Sequence, residues 1–399
     1  DMPLQPTSSD PARRDSLIQA AKDMVPMLRQ RAAQTDTERR LLPETEKAFT
    51  DAGFFRLIQP KSGGGLELDI PLLLQIGTII GSGCPSSAWV LCLLAVHNWA
   101  MGLWPVEAQR EIFDSHGYAR IPMVLTPQGT AETAPGGYRL SGHWTYASGI
   151  DIATHAAVAA LDPEVPAGEP PNVLTFVVPA DRIEVVDDWF VLGLRGTGSI
   201  AVRCKNVFVP AHMTHAMSRV DPPGAAVNPH PMYAGFPRVP FFTLTGTAPF
   251  IGALQLALDA FYERLHSRNP MYLPTDSQTQ RVPSQIRLAR AQALYDAASA
   301  LFFEAANAYW NLIIKRAEIT LEHCTKYRLQ AAQVLHMCTE AVDLLISDAG
   351  TGAYFDHSPI QRAFRDIHMA HSHVAMNLDN ASENHARVML GMPPHPPLV

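Results

Sequence analysis

The stretch Gly142-His143-Trp144-Thr145-Tyr146-Ala147-Ser148-Gly149 reads as a β-strand that ends in a small-residue turn. Around it lie further short β-branched or aromatic runs: Ala156 to Ala160, Val173 to Val178, Ile183 to Val186 and Ile200 to Val209. Clusters of Gly, Pro and Asp separate them. A central β domain over 120–225 is therefore expected. Upstream the periodicity changes. Leu17, Ala20, Ala21, Met24, Met27 and Leu28 recur at three- and four-residue steps, the spacing of an amphipathic helix. Pro43 opens a second helix that Gly53 stops, and the apolar runs Pro71 to Gly81 and Ser86 to Trp104 supply two more, which makes 1–119 a helical domain. Downstream of a Pro/Gly-rich connector, Asp221 to Pro240, four long helical stretches follow: Thr243 to Ser267, Arg281 to Ala317, Lys326 to Ser347 and Ile360 to Leu390. Their length and short linkers predict an antiparallel four-helix bundle over 226–399. The fold class is α+β, mainly α. No G-x-G-x-x-G turn follows a strand, which disfavours a Rossmann nicotinamide site.

The composition narrows the function. The 399 residues are 47% hydrophobic and 17% charged, with 31 Lys+Arg against 38 Asp+Glu and a net charge of −7. This is a folded chain with no need of staples, and it carries no basic footprint for nucleic acid or anionic membrane. The five cysteines form no C-x-x-C and mostly sit in apolar runs, as reduced core thiols of a cytoplasmic protein do. Residues Asp1 to Arg14 are polar, without a signal-peptide pattern. The apolar stretch Ala88 to Val96 is nine residues long, short of the roughly 20 that cross a bilayer.

Three features could carry chemistry. In the opening stretch, aromatic rings beside a Ser-Gly pair let backbone approach a flat ligand, and the hydroxyl and nearby amides can bond its heteroatom edge. A β-turn with core aromatics is the plainer reading. A second string, Gly193-Leu194-Arg195-Gly196-Thr197-Gly198-Ser199, can present amides and one guanidinium to an anion or a planar ring. A bulged hairpin explains it equally. Third come the histidines: His97 in an apolar helix, and His368, His371 and His373 in the last one. On a regular helix His368 and His371 share a face, while His373 lies ~180° round from His368. Neither a repeated Glu-x-x-His nor H-E-x-x-H occurs, so no metal site is expected.

The W-x-Y-A-S-G and G-L-R-G-T-G-S strings, in this order inside a helix–β–bundle frame, resemble the acyl-CoA dehydrogenase superfamily over nearly the whole chain. The likeness is to its branch of group D two-component flavin-dependent monooxygenases. That branch holds the oxygenase components of p-hydroxyphenylacetate hydroxylase, the steroid-degrading phenol hydroxylase and dibenzothiophene monooxygenase. The resemblance implies a homotetramer that takes loosely bound reduced FMN or FAD from a separate reductase. With O2, and through a C4a-hydroperoxyflavin, it would hydroxylate a hydrophobic aromatic substrate. It also implies site residues. Ser148 falls at the flavin N5/O4 edge, with Trp144 and Tyr146 on the same strand and Arg195, Thr197 and Gly198 in the second string. His97 matches the histidine near the substrate hydroxyl. His373 best matches the one facing C4a, with His368 and His371 as fallbacks, and Arg268 stands where an arginine contacts the flavin of a neighbouring subunit. The rivals are an acyl-CoA dehydrogenase, a monooxygenase acting on nitrogen or sulfur, and a non-catalytic bundle protein. The loop Gly350 to His357 offers Asp356 but no glutamate to serve as a dehydrogenase base.

Overall fold

A computed structural model describes residues 11–166, 168–218, 221–268 and 277–395. The first ten residues, part of the signal-peptide reading, lie outside that range. Five helices come first: α1 (Pro11–Glu38), α2 (Pro43–Asp51), α3 (Ile70–Gly81), α4 (Pro85–Met101) and α5 (Val106–Asp114). Asp69 caps α3 by accepting the Leu72 N–H at 2.8 Å, and its other oxygen holds the buried Arg14 of α1 at 2.6 Å. One carboxylate thus satisfies a helix end and ties two helices together. All of α4 is buried except Leu93, so this helix forms the middle of the N-terminal half.

The seven strands are β1 (Met123–Ala134), β2 (Gly137–Ala147), β3 (His155–Leu161), β4 (Val173–Pro179), β5 (Glu184–Val186), β6 (Ile200–Pro210) and β7 (Thr214–His215), in the sheet order β5-β6-β2-β1-β3-β4-β7. The sequence reading has no strand over β1, whose Thr-Pro-Gln-Gly-Thr-Ala-Glu-Thr-Ala run is too polar to show a buried face. Pairing with β2 makes it a strand. The antiparallel register of β2 with β6 shifts between Trp144 and Ala147. There Tyr146 takes a left-handed backbone (φ 68°) and turns its ring outward. The bulge brings Ser148 alongside Ser199.

The C-terminal half consists of α6 (Val239–Ser267), α7 (Val282–Ile314), α8 (Leu321–Ala349), α9 (Pro359–His371) and α10 (Leu378–Met389). By length and composition α6 could cross a membrane, but 89% of its most apolar window is buried inside the protein. It is a core helix, and a longer one than the nine-residue stretch Ala88 to Val96 that the sequence reading weighed. One expectation is corrected: the helix read over 360–390 is two. Between them Asn377 caps α10 by accepting the Asn380 N–H at 2.9 Å. The buried Arg328 of α8 donates to the freed carbonyls of Ala375 (3.1 Å) and Val374 (3.4 Å). An arginine distant in sequence satisfies the break, so no Gly or Pro marks it.

Candidate functional site

Four segments meet at Ser148. Its Oγ accepts the Trp89 indole N–H of α4 at 3.1 Å and lies 2.6 Å from Ser199 Oγ, itself 2.6 Å from Thr197 Oγ1. Trp89 stands edge-on to His373, ring centroids 5.9 Å apart, in the break after α9. Across from Trp89 on α6 is Gly246; a β-carbon there would lie 3.6 Å from the indole and 3.5 Å from Met376. The seryl hydroxyl and the imidazole are thus joined through one tryptophan at the junction of sheet and bundle.

Helix α4 extends this corner. From Ser86 to Met101 its residues are sealed to 1% exposure or less, apart from Ser86 (4%), Trp89 (7%), the half-buried Leu93 and His97 (5%). These follow one another at steps of three, four and four, which is one helix stripe. The residues of the helix that keep some accessibility therefore share one face, and from Trp89 to His97 they span roughly 12 Å at 1.5 Å per residue.

His97 and His373 are set in opposite tautomers by their partners. His97 Nδ1 lies 2.7 Å from the Ile121 carbonyl, which can only accept, so the proton is on Nδ1 and Nε2 is left as an acceptor. His373 Nδ1 accepts the Ala375 N–H at 3.2 Å, so its neutral ring carries the proton on Nε2 and is a donor. Burial pushes His97 down to about 4 and lowers His373 as well. Both are uncharged at neutral pH. As a residue His373 is nevertheless exposed, so its ring stands at the open edge of the corner while one side packs on Trp89.

The other expected residues are distributed as follows. Trp144 is a core residue: its indole N–H donates to the Ala159 carbonyl at 2.7 Å and its ring fills the room above Gly129 and Gly142. It supports the strand from beneath rather than facing the corner, a correction to the expectation. Tyr146 is 64% exposed, edge-on to Trp189, on the rim. Thr197 belongs to the hydroxyl cluster, and Gly198 takes a left-handed turn (φ 53°) beside Asp151. Arg195 donates to the Val191 carbonyl at 2.8 Å, its guanidinium 3.8 Å from Asp36. Arg268 is held by the Ala349 carbonyl at the end of α8 (3.0 Å) and forms no hydrogen bond with the corner. His368 bonds Asp343 at 2.8 Å and His371 faces His336, both on α8, so of the three C-terminal histidines His373 alone packs on Trp89. Among the described residues no group of three or more His, Cys, Asp or Glu is placed to hold a metal ion.

Sequence reasoning missed Trp89, Ser199 and Asp366. A tryptophan in an all-apolar helix reads as core, and the available signal was its i, i+4, i+8 spacing to Leu93 and His97. Asp366 of α9 accepts the Leu194 N–H at 2.6 Å, while Gly193 lies so close to the Arg365 carbonyl that a β-carbon would come within 2.0 Å. The glycine string is pinned to the bundle by these contacts. Burial raises the Asp366 carboxyl to about 7. Because the folded state holds this proton more tightly than the unfolded chain, its stabilisation is complete below about 4 and is lost as pH rises through about 7. Asp366→Asn keeps an acceptor for Leu194 and removes the titration. The melting-temperature advantage of wild type over this variant should therefore shrink from pH 5 to pH 8; an advantage that grows over that range contradicts a protonated Asp366.

The acyl-CoA dehydrogenase C-terminal domain family matches residues 244–378. The oxygenase subunit HsaA of a flavin-dependent monooxygenase from Rhodococcus jostii is 30% identical over 94% of this chain and 98% of its own. The oxygenase component of p-hydroxyphenylacetate 3-hydroxylase from Acinetobacter baumannii is 26% identical over 96% of this chain and 91% of its own. Among solved structures, XiaF from Streptomyces sp. in complex with FADH2 and glycerol superposes with a TM-score of 0.86, at 26% identity, over 96% of this chain and 97% of that one.

Proposed function

This chain belongs to the oxygenase subunits of flavin-dependent monooxygenases, with the acyl-CoA dehydrogenase-like fold, and on that premise we propose that it hydroxylates a hydrophobic phenol inside the cleft along α4. The observation that carries this reading is the single stripe linking the Ser148–Trp89–His373 corner to His97. The residues at the corner suit a flavin edge. Ser148 and Trp89 present a fixed polar edge, His373 a neutral N–H donor, and Tyr146 an exposed aromatic rim. Reduced flavin, delivered by a separate reductase, supplies the electrons that activate O2.

At the other end, the His97 Nε2 lone pair accepts the substrate hydroxyl, and Leu93 offers an apolar contact midway. The half-buried Phe236 and Phe242, packed against Trp99, extend the apolar surroundings. The low pKa of His97 defines its role. Transfer of a proton from a phenol of pKa about 10 to such a base is uphill by about 8 kcal/mol, so His97 orients the hydroxyl by a hydrogen bond. It takes the proton only as the new C–O bond makes that proton acidic. The dry wall of α4 keeps water from competing. An acyl thioester dehydrogenase is less well served: Asp356 is exposed and accepts from Gln361 at 3.4 Å.

A homotetramer, with Arg268 offered to the flavin of a neighbouring copy, and a cytoplasmic location belong to the same proposal. The exposed Val282 and Ile286 of α7 give one face the apolar character that self-association covers, and the sedimented mass tests it. For the reaction, turnover with reduced flavin under 18O2 should place one labelled oxygen on a hydrophobic phenol. Oxygen consumption that yields only hydrogen peroxide with every such phenol contradicts the reading.

A further inference from the structure

Behind Ser148 the hydroxyls form a chain. Trp89 Nε1–H donates to Ser148 Oγ at 3.1 Å. Ser148 Oγ and Ser199 Oγ are 2.6 Å apart, Ser199 Oγ and Thr197 Oγ1 2.6 Å, and Thr197 Oγ1 donates to the Leu194 carbonyl at 2.8 Å. All five residues are less than a tenth exposed.

Each hydroxyl has one proton, and that fixes the direction of the chain. A carbonyl only accepts, so the Thr197 proton goes to Leu194 and the Ser199–Thr197 bond must use the proton of Ser199. The Ser148–Ser199 bond must then use the proton of Ser148. Ser148 is left with no proton to give and one free lone pair. The local fold builds this. Left-handed residues at Leu194 and Gly198 bracket a single turn that folds Thr197 back on Leu194. Gly149 N–H also donates to the Thr197 carbonyl at 3.0 Å, which ties the two strings together.

We propose that Ser199 and Thr197 are positioning residues that hold Ser148 as a pure hydrogen-bond acceptor, so that the site binds reduced flavin, which carries a hydrogen on N5, in preference to oxidised flavin, which carries a lone pair there. The inference rests on the reading of Ser148 as the group that meets N5. A reduced N5–H finds the free lone pair of Ser148, whereas an oxidised N5 meets lone pair against lone pair in a buried site, where an unmatched polar contact is costly. The relay thereby favours capture of the form the reductase delivers and release of the form left after turnover.

The test is a pair of equilibrium titrations, reduced flavin under anaerobic conditions and oxidised flavin in air, with both FMN and FAD, on wild type, Ser199→Ala, Thr197→Val and Ser199→Thr. Wild type should bind the reduced form more tightly. Ser199→Ala removes the acceptor of the Ser148 proton. Thr197→Val makes Ser199 spend its own proton on Ser148. Either change frees Ser148 to donate to oxidised N5, so the ratio of oxidised to reduced Kd should fall about fivefold to tenfold, mainly through tighter binding of the oxidised form. Ser199→Thr keeps the hydroxyl and should keep the ratio. An unchanged ratio in folded Ser199→Ala or Thr197→Val overturns the relay, and so does equal weakening of both forms, which is what a merely structural role produces. If wild type binds neither form, the reading of the site as a flavin site fails, and the relay with it.

Discussion

Replacing His97 by Ala should lower the rate of product formation from a phenolic substrate by about a hundredfold or more, the lower range for loss of a group that handles a proton in the transition state. Affinity for reduced flavin should stay unchanged, because the Trp89 end of the stripe lies roughly 12 Å away. The asymmetry makes this informative. A general collapse of the cleft would lower flavin affinity too, whereas loss of the substrate's acceptor leaves it intact and sends the O2 consumed to hydrogen peroxide. Rapid mixing of the flavin-loaded variant with O2 and substrate, with product and peroxide counted separately, decides it. Undiminished hydroxylation removes His97 from the reaction.

Ser148→Ala should act at the other end. Deleting the hydroxyl leaves the Trp89 N–H without its acceptor and takes away the lone pair offered to the flavin edge. One buried hydrogen bond of about 1–1.5 kcal/mol corresponds to a factor of about ten. The product formed per O2 consumed should therefore fall by roughly that factor, while His97 still seats the substrate. Oxygen electrode traces with and without catalase give the peroxide share directly; the wild-type share in Ser148→Ala contradicts a role for the hydroxyl at the flavin edge.

Much of the architecture could be read in the sequence because each segment announces its own period: three- and four-residue steps on the flanks, short β-branched runs between Gly and Pro clusters in the middle. What escaped depends on partners distant in sequence. The polar β1 becomes a strand only against β2, and the break at 372–377 stands because Arg328 reaches over from α8 to its carbonyls. The candidate site divides the same way. Ser148 stood out, as a hydroxyl between small residues next to aromatics. Trp144 stood out for the same reason, yet it packs beneath the sheet, since alternation along a strand does not say which face a bulge will turn outward. Tyr146, two residues on, is the ring that turns outward. A regular helix only set His373 apart from His368, and its preference over the other two came from the resemblance; it is the non-helical turn that sets its ring against Trp89. Trp89 had only its spacing to Leu93 and His97 to mark it, and Ser199 only its place at the end of the glycine string; burial and hydrogen bonding single them out.

The central claim is that a flavin sits at the corner of Ser148, Trp89 and His373, with the cleft to His97 running from it. A crystal structure of the anaerobic complex with reduced FMN or FAD measures this directly. The flavin N5 should lie within hydrogen-bond distance of Ser148 Oγ, with His373 against the ring and the α4 stripe open toward His97. A ring bound elsewhere, or one whose N5 edge faces away from Ser148, would contradict the account.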